Sequence, residues 1–298
     1  MRKHATAGGG LRRILSRNLL IIFLSMALSG CMPGGSSGTG NQDQDNAEQK
    51  LKVTFFDVGK GDAMLLESAG QAMLIDTGYD DSCRVILDYL EKQQIQRLDA
   101  LVITHFDKDH VGGADKILDA VQVERVLQPD YDSGSSQSEE YRQALEQQGM
   151  TPERIREKQE FSFGESRCEI WPPEQESYKE PDNDFSLVLR VICGDTAFLF
   201  AGDCEEERLT ELLENPEADL AAQVLKVPHH GRKEKNSREF FEAVSPEIAV
   251  ITCSEEEPPS GKVIKMLQKL RTETYLTSEG TVTCITDGRN ILCSQEAE

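Results

Sequence analysis

Of the five histidines in this chain, four come as two close pairs, His105/His110 and His229/His230, and each pair sits where an apolar run gives way to glycine. The first pair lies in THFDKDH, residues 104–110, directly after the run LDALVI and just before Gly112-Gly113. The second lies in VPHHG, residues 227–231, at the end of another apolar run. A buried strand that ends in a tight turn presents its next side chains at a sheet edge, where they converge instead of packing. A fold for this chain has to build both strand ends and keep their histidines out of the core.

The elements around these points fall into two groups. Residues 51–58 (LKVTFFDV), 63–67 and 72–75 read as strands from their β-branched and aromatic content and the turn at Ala69-Gly70-Gln71. Within residues 82–94, Val85, Ile86, Tyr89 and Leu90 keep helical spacing. Short apolar runs predict strands at 100–104 and 123–127, with helices at 114–120 and 138–148, the latter opened by Ser138. After Trp171-Pro172-Pro173, strands are expected at 186–192, 196–201, 223–227, 247–252, 281–285 and 290–293, and helices at 205–214, 237–244 and 262–270. Two strand groups, each followed by helices and with no linker between them, predict one α/β domain over residues 51–294. Its architecture is two sheets face to face with helices outside, an αββα four-layer sandwich.

Ahead of this domain, Arg12, Arg13 and Arg17 precede an apolar stretch, residues 19–28, too short for a comfortable bilayer span. It closes in Leu28-Ser29-Gly30-Cys31, which resembles the lipobox of bacterial lipoproteins. The resemblance implies a signal peptide over residues 1–30, lipidation of Cys31, and a body exported and lipid-anchored to the outer face of the cell membrane. An uncleaved anchor is the alternative. Residues 31–50 have almost nothing to bury and read as a flexible tether.

Charge narrows the substrate. Residues 1–30 hold five Lys/Arg and no Asp/Glu, so a formal net charge of −21 becomes −26 for the remainder. Such a surface repels polyanions on average, and a nucleic-acid substrate needs a local exception. Arg232, Lys233, Lys235 and Arg238, bunched just after the second histidine pair, supply one. The cysteines show no CxxC spacing, which argues against a thiolate metal site. Cys284 and Cys293 face each other across a hairpin if its loop centres on Gly288-Arg289, and are offset if it centres on Asp287-Gly288.

The strand-end residues carry the chemistry. His105, Asp107, Asp109 and His110 offer imidazole nitrogen and carboxylate oxygen, the ligands of a hydrolytic divalent-metal centre, and four ligands in so short a loop suit two adjacent ions. Asp203 follows the apolar run FLFAG as a lone carboxylate, placed either to bind metal or to cap the helix at 205–214.

FFDVGKGD (residues 55–62), LIDTG (74–78), THFDKDHVGG (104–113), residues 186–189, AGD (201–203), KVPHHG (226–231) and TSEGTVTCITDG (277–288) together resemble the ComEC/Rec2-type branch of the metallo-β-lactamase fold, in family order. The resemblance implies an αββα hydrolase with two divalent metal ions, zinc or manganese. It implies that His105 and Asp107 hold one metal, Asp109 and His110 the other, that Asp203 bridges them, and that His229 or His230 completes the site. The other histidine of that pair would touch substrate or protonate the leaving group. Asp109 and His230 are placed at the chemistry, Asp76 behind the ligands, Asp57 and Asp62 at the rim. The hairpin histidine found in most branches is missing, with Asp182 or Asn183 the nearest substitute. Lys60 stands where the family has Gln, Arg232 where it has Ser, and residues 253–261 lack the expected Asn and His.

The expected activity is a surface-tethered phosphodiesterase or nuclease, with single-stranded DNA or another phosphodiester held by Arg232, Lys233 and Lys235. A hydrolase of a small ester, lactone or lactam is the alternative, and a non-catalytic binding lipoprotein the third. Contact with the membrane would be through the lipid anchor alone. No channel-forming segments follow, so no DNA-uptake pore is expected of this chain.

Overall fold

The computed structural model describes residues 49–296. The segment expected to be a signal peptide, Cys31 and nearly all of the expected tether therefore lie outside the described residues. The first half of the domain runs β1 (Leu51–Phe55), β2 (Met64–Ser68), β3 (Gln71–Ile75), α1 (Cys83–Lys92), β4 (Arg97–Leu98), β5 (Ala100–Val102), α2 (Lys108–Val111), α3 (Ala114–Ala120), β6 (Gln122–Val123), β7 (Val126–Pro129), α4 (Ser136–Gln147) and β8 (Glu153–Ile155). The second half runs β9 (Gln159–Phe163), β10 (Ser166–Trp171), α5 (Pro181–Asp184), β11 (Val188–Cys193), β12 (Thr196–Phe200), α6 (Glu206–Glu214), β13 (Val224–Lys226), α7 (Ser237–Val244), β14 (Ile248–Ile251), α8 (Gly261–Leu270) and β15 (Glu273–Leu276). It closes with the hairpin β16 (Val282–Thr286) and β17 (Ile291–Gln295).

Two large sheets result, ordered β17-β16-β1-β2-β3-β5-β7-β8 and β15-β14-β13-β12-β11-β10-β9. Each is antiparallel at one end and parallel at the other, the parallel pairs being β3/β5/β7/β8 and β12/β13/β14/β15. Strand alternation assigns the layers. Val53, Phe55, Met73 and Ile75 from one sheet meet Leu189, Val191, Phe198 and Phe200 from the other, with Phe55 and Phe200 stacked at 6.0 Å. Their strand neighbours point the opposite way. Leu65 and Leu74 pack under α1, α3 and α4, while Ala197 and Leu199 pack under α6, α7 and α8. Both faces of both sheets are thus buried, giving the αββα order and near-continuous apolar strands. Each fully buried Leu or Phe contributes about 1.5–3 kcal/mol.

Five strands were not foreseen, β4, β8, β9, β10 and β15. In β8, β9 and β10 the apolar alternation is interrupted by charge, and the interruption is satisfied in the fold: Glu169, buried in β10, pairs with Arg167 at 2.6 Å and Arg190 at 3.6 Å. The cap of α4 is Ser135, whose side chain accepts from the Ser138 amide, and Ser138 is one turn inside the helix. The closing hairpin pairs Thr286 with Ile291, which centres its loop on Gly288-Arg289 and sets Cys284 opposite Cys293 in a disulfide. Among the described residues no helix is long and apolar enough to cross a membrane.

Candidate metal centre

Both histidine pairs reach one end of the sandwich from strand ends. The backbone N–H of Thr104, just beyond β5, donates to Asp76 Oδ1 at 2.7 Å, and its hydroxyl donates to Asp76 Oδ2 at 2.6 Å. Asp76 follows β3, the parallel neighbour of β5, and turns there in the left-handed region at φ 55°. THFDKDH is not wholly a loop: Asp107 opens the short helix α2 but makes no side-chain capping bond, so its carboxylate stays available. Gly112 is required by packing, because a Cβ there would stand 2.2 Å from Lys108 O and 2.8 Å from Asp80 N.

On the other sheet, β12 is followed by Ala201-Gly202-Asp203 and β13 runs into the turn 228–231. His229 and His230 hold φ of 48° and 49°, left-handed conformations that cost non-glycine residues roughly 1–3 kcal/mol each. Only one of the two rings reaches the centre. His230 Nε2 lies 3.0 Å from Asp203 Oδ2 and 3.5 Å from Asp109 Oδ2, and His110 Nε2 lies 3.3 Å from Asp203 Oδ1. Metal–ligand bonds of about 2.1 Å in tetrahedral array put ligand atoms roughly 3.4 Å apart, which is this spacing. The buried Nε2 atoms of His105, His110 and His230 make no hydrogen bond in the protein, a costly arrangement unless a cation takes them. His110, Asp203 and His230 cluster with Asp62 within 4.8 Å, and the Nε2 side of that cluster, which Asp109 also reaches at His230, fits one divalent ion. His105 Nε2, with Asp107 Oδ2 at 4.0 Å and its ring 4.0 Å from that of His110, supplies part of a second position.

The far side of each ring is tied down. His110 Nδ1 meets Asp76 Oδ2 at 2.8 Å, and His230 Nδ1 meets the Thr252 carbonyl at 3.1 Å. Asp62 lies behind the centre, fully buried, and not at its rim. Its carboxylate is 3.8 Å from His110 Nδ1 and 3.6 Å from His230 Nδ1, on the face opposite Nε2, and it accepts from the Thr252 hydroxyl at 2.6 Å. Lys226, a residue the sequence reading passed over, is fully buried against Asp62. It donates to Gly202 O at 3.0 Å and lies 3.4 Å from Asp203 Oδ1. A lysine ending an apolar parallel strand was the available signal, since a cation at such a position needs a buried partner.

These contacts set the protonation pattern. Burial opposes charge on Asp203 and Asp109, but the neighbouring histidines, with Lys226 for Asp203, outweigh it and hold both well below the usual carboxylate range. Burial likewise opposes charge on His110 and His230, and Asp203 beside each outweighs it and raises both. His105 is lowered by burial and by His110. Burial pushes the Asp107 carboxyl up to about 6.

Several expected participants sit elsewhere. His229 turns from the centre toward Glu205, with Nδ1 3.2 Å from Oε1. Asn183 donates to Glu205 at 2.8 Å, and the exposed Asp182 lends a backbone carbonyl to Tyr131, so neither side chain is seen to replace the missing histidine. Asp203 does not cap α6: Asp184 Oδ1 accepts from the Glu205 and Arg208 amides instead, leaving Asp203 to the centre. Asp57 accepts from the Gly59 amide within its turn. Lys235 pairs with Glu206 at 2.7 Å, on the surface. Arg232, Lys233 and Lys60 instead line a cavity of about 330 Å³ with His230, and Lys60 also contacts Asp109 Oδ2 at 3.1 Å.

The family model of the metallo-beta-lactamase superfamily matches residues 56–254. ComE operon protein 3 of Bacillus subtilis is 28% identical over 239 residues, 73% of this chain and 30% of that protein. Competence protein ComA of Neisseria gonorrhoeae is 31% identical over 205 residues, 68% of this chain and 27% of that protein. The chain thus spans less than a third of each of these relatives' length. Among solved structures, CmlA, a diiron beta-hydroxylase from Streptomyces venezuelae, superposes with a TM-score of 0.50 at 15% identity, over 76% of this chain and 52% of that one. At that identity the likeness is one of fold.

Proposed function

The chain belongs to the metallo-beta-lactamase superfamily, and from that footing we propose that this metal-dependent hydrolase cleaves phosphodiester bonds. The observation that carries the reading is the cavity at His230. Lys60 and Arg232, the two positions where the chain departs from the family pattern toward positive charge, come together there with Lys233. In a chain of net charge −21, three cations against the one carboxylate of Glu257 around a single opening favour a phosphate-bearing substrate. The names of the relatives, a ComE operon protein and a competence protein, agree with a competence-related setting.

Asp109, His110, Asp203 and His230 would hold one ion, and His105 and Asp107, with Asp203 between, a second. Zinc and manganese both suit this mixture of imidazole and carboxylate. Bound there, divalent ions lower the pKa of a water toward neutral and stabilise charge developing on the phosphoryl oxygens. The protein's own groups do the rest. Asp76 and the Thr252 carbonyl take the Nδ1 protons of His110 and His230, which leaves the Nε2 lone pairs facing the centre. Asp62 and Lys226 fix the charge behind it. Arg232, whose planar fork suits two phosphate oxygens, orients the scissile bond with Lys60 and Lys233.

We further propose that the domain acts outside the cell, tethered through Cys31, on the strength of the lipobox-like Leu28-Ser29-Gly30-Cys31. The acidic exterior favours a second reading, hydrolysis of a small ester or lactone. Turnover of single-stranded DNA and of a neutral aryl ester by the same metal-loaded protein separates them. The phosphodiester reading requires DNA cleavage to dominate, and turnover of the ester alone would overturn it.

A further inference from the structure

Beside the centre, three side chains meet from separate segments: Glu205 at the start of α6, His229 in the turn after β13, and Glu234 in the loop before α7. His229 Nδ1 lies 3.2 Å from Glu205 Oε1 and 3.7 Å from Glu234 Oε1. That nitrogen makes no hydrogen bond, although the residue is only 3% exposed. Among the described residues no Lys or Arg forms an ion pair with either carboxylate, and nearby Lys235 is taken by Glu206. Two half-buried carboxylates facing one unpartnered imidazole nitrogen form a cation-deficient corner.

We propose that Glu205, His229 and Glu234 bind a divalent cation of the manganese or zinc class, separate from the ions of the main centre. One imidazole nitrogen and two carboxylates are the donor set for such ions. The three ligand atoms lie within 4.8 Å of one another, and small rotations of the two glutamates close them on a single ion. The ion ties the start of α6 to the turn and loop that carry His230, Arg232 and Lys233. It also has a consequence for Arg232, whose Nη1 lies 3.3 Å from His229 Nε2. An ion on Nδ1 leaves the ring proton on Nε2, which can no longer accept from Arg232, and the guanidinium is released toward the cavity. That last step rests on the phosphodiester reading; the cation site does not.

The test counts ions and not turnover. The full chain is dialysed against manganese or zinc and its bound metal measured by mass spectrometry, with circular dichroism melts as a folding control. Glu234→Gln is expected to lose one ion per chain, and Glu205→Gln, an independent change, the same one. A His110→Ala, Asp203→Asn variant with the main centre disabled is expected to keep one ion, which disappears when Glu234→Gln is added. Unchanged stoichiometry in both glutamate variants, or no ion in the centre-disabled protein, would overturn the proposal, whether or not the protein cleaves phosphodiesters.

Discussion

Lys226 and Asp62 form an ion pair with no solvent exposure, directly behind the imidazoles of the candidate centre. A pair so placed is worth less than the damage done by breaking it, because the surviving charge is left dry and uncompensated. Lys226→Met is expected to lower unfolding stability by about 3–5 kcal/mol. Adding Asp62→Asn should restore most of that loss. Urea denaturation of the two single variants and the double tests the coupling, and strictly additive losses would contradict it.

The cavity cations divide into those that meet substrate and one that does not. Losing a hydrogen bond to a charged group costs roughly 1.5–3 kcal/mol, so Arg232→Ala should reduce kcat/KM on DNA by about 10- to 100-fold. The salt dependence of DNA binding should flatten as well. Lys235→Ala, whose ammonium is held by Glu206 at the surface, should leave both nearly unchanged.

Metal uptake should release protons. In the metal-free protein the carboxylates hold His110 and His230 above their ordinary pKa, which favours a proton on each ring that an ion must displace. Calorimetric titration in buffers of different ionisation enthalpy should show net proton release on metal uptake, growing as pH falls from 8 toward 6. Affinity should fall further as pH drops through about 6, where Asp107 takes up its proton. A buffer-independent heat would argue against these ligands.

Asp184 gives a pH signature outside the main centre. Burial raises its carboxyl to about 6, above the ordinary 3.8, so the folded state binds that proton more tightly than the unfolded chain. Its contribution to stability is therefore full below about pH 4 and is lost as pH rises through about 6. Asp184→Asn keeps an oxygen for the Glu205 and Arg208 amides but cannot titrate. The stability difference between wild type and variant should narrow, then turn in the variant's favour, across that window in paired melts.

How much of this was legible beforehand depended on whether a residue's role is local. THFDKDH and VPHHG announced themselves because histidines beside glycine at strand ends are poor packing choices. The αββα order followed from two groups of strands, each followed by helices, with no linker between them. The partition of the histidine pair was not legible: His229 and His230 have nearly the same backbone conformation, and only the three-dimensional placing of Glu205 and Asp203 separates them. Lys226 was missed and Asp62 placed at the rim for a related reason. Each reads locally as a turn or strand-end residue, and their pairing spans most of the domain's length. Charged positions hid β9 and β10 because Glu169 looks exposed until Arg167 and Arg190 are seen around it.

The central claim is tested most directly by stripping the protein of metal, reloading it with zinc or manganese, and following bis-p-nitrophenyl phosphate hydrolysis alongside a His110→Ala, Asp203→Asn variant. The account predicts hydrolysis that appears only on reloading, and that falls in the variant by at least the roughly 100-fold expected for loss of metal-held charge stabilisation. Metal bound in the wild type with no phosphodiester cleavage, or cleavage undiminished in the variant, would contradict it.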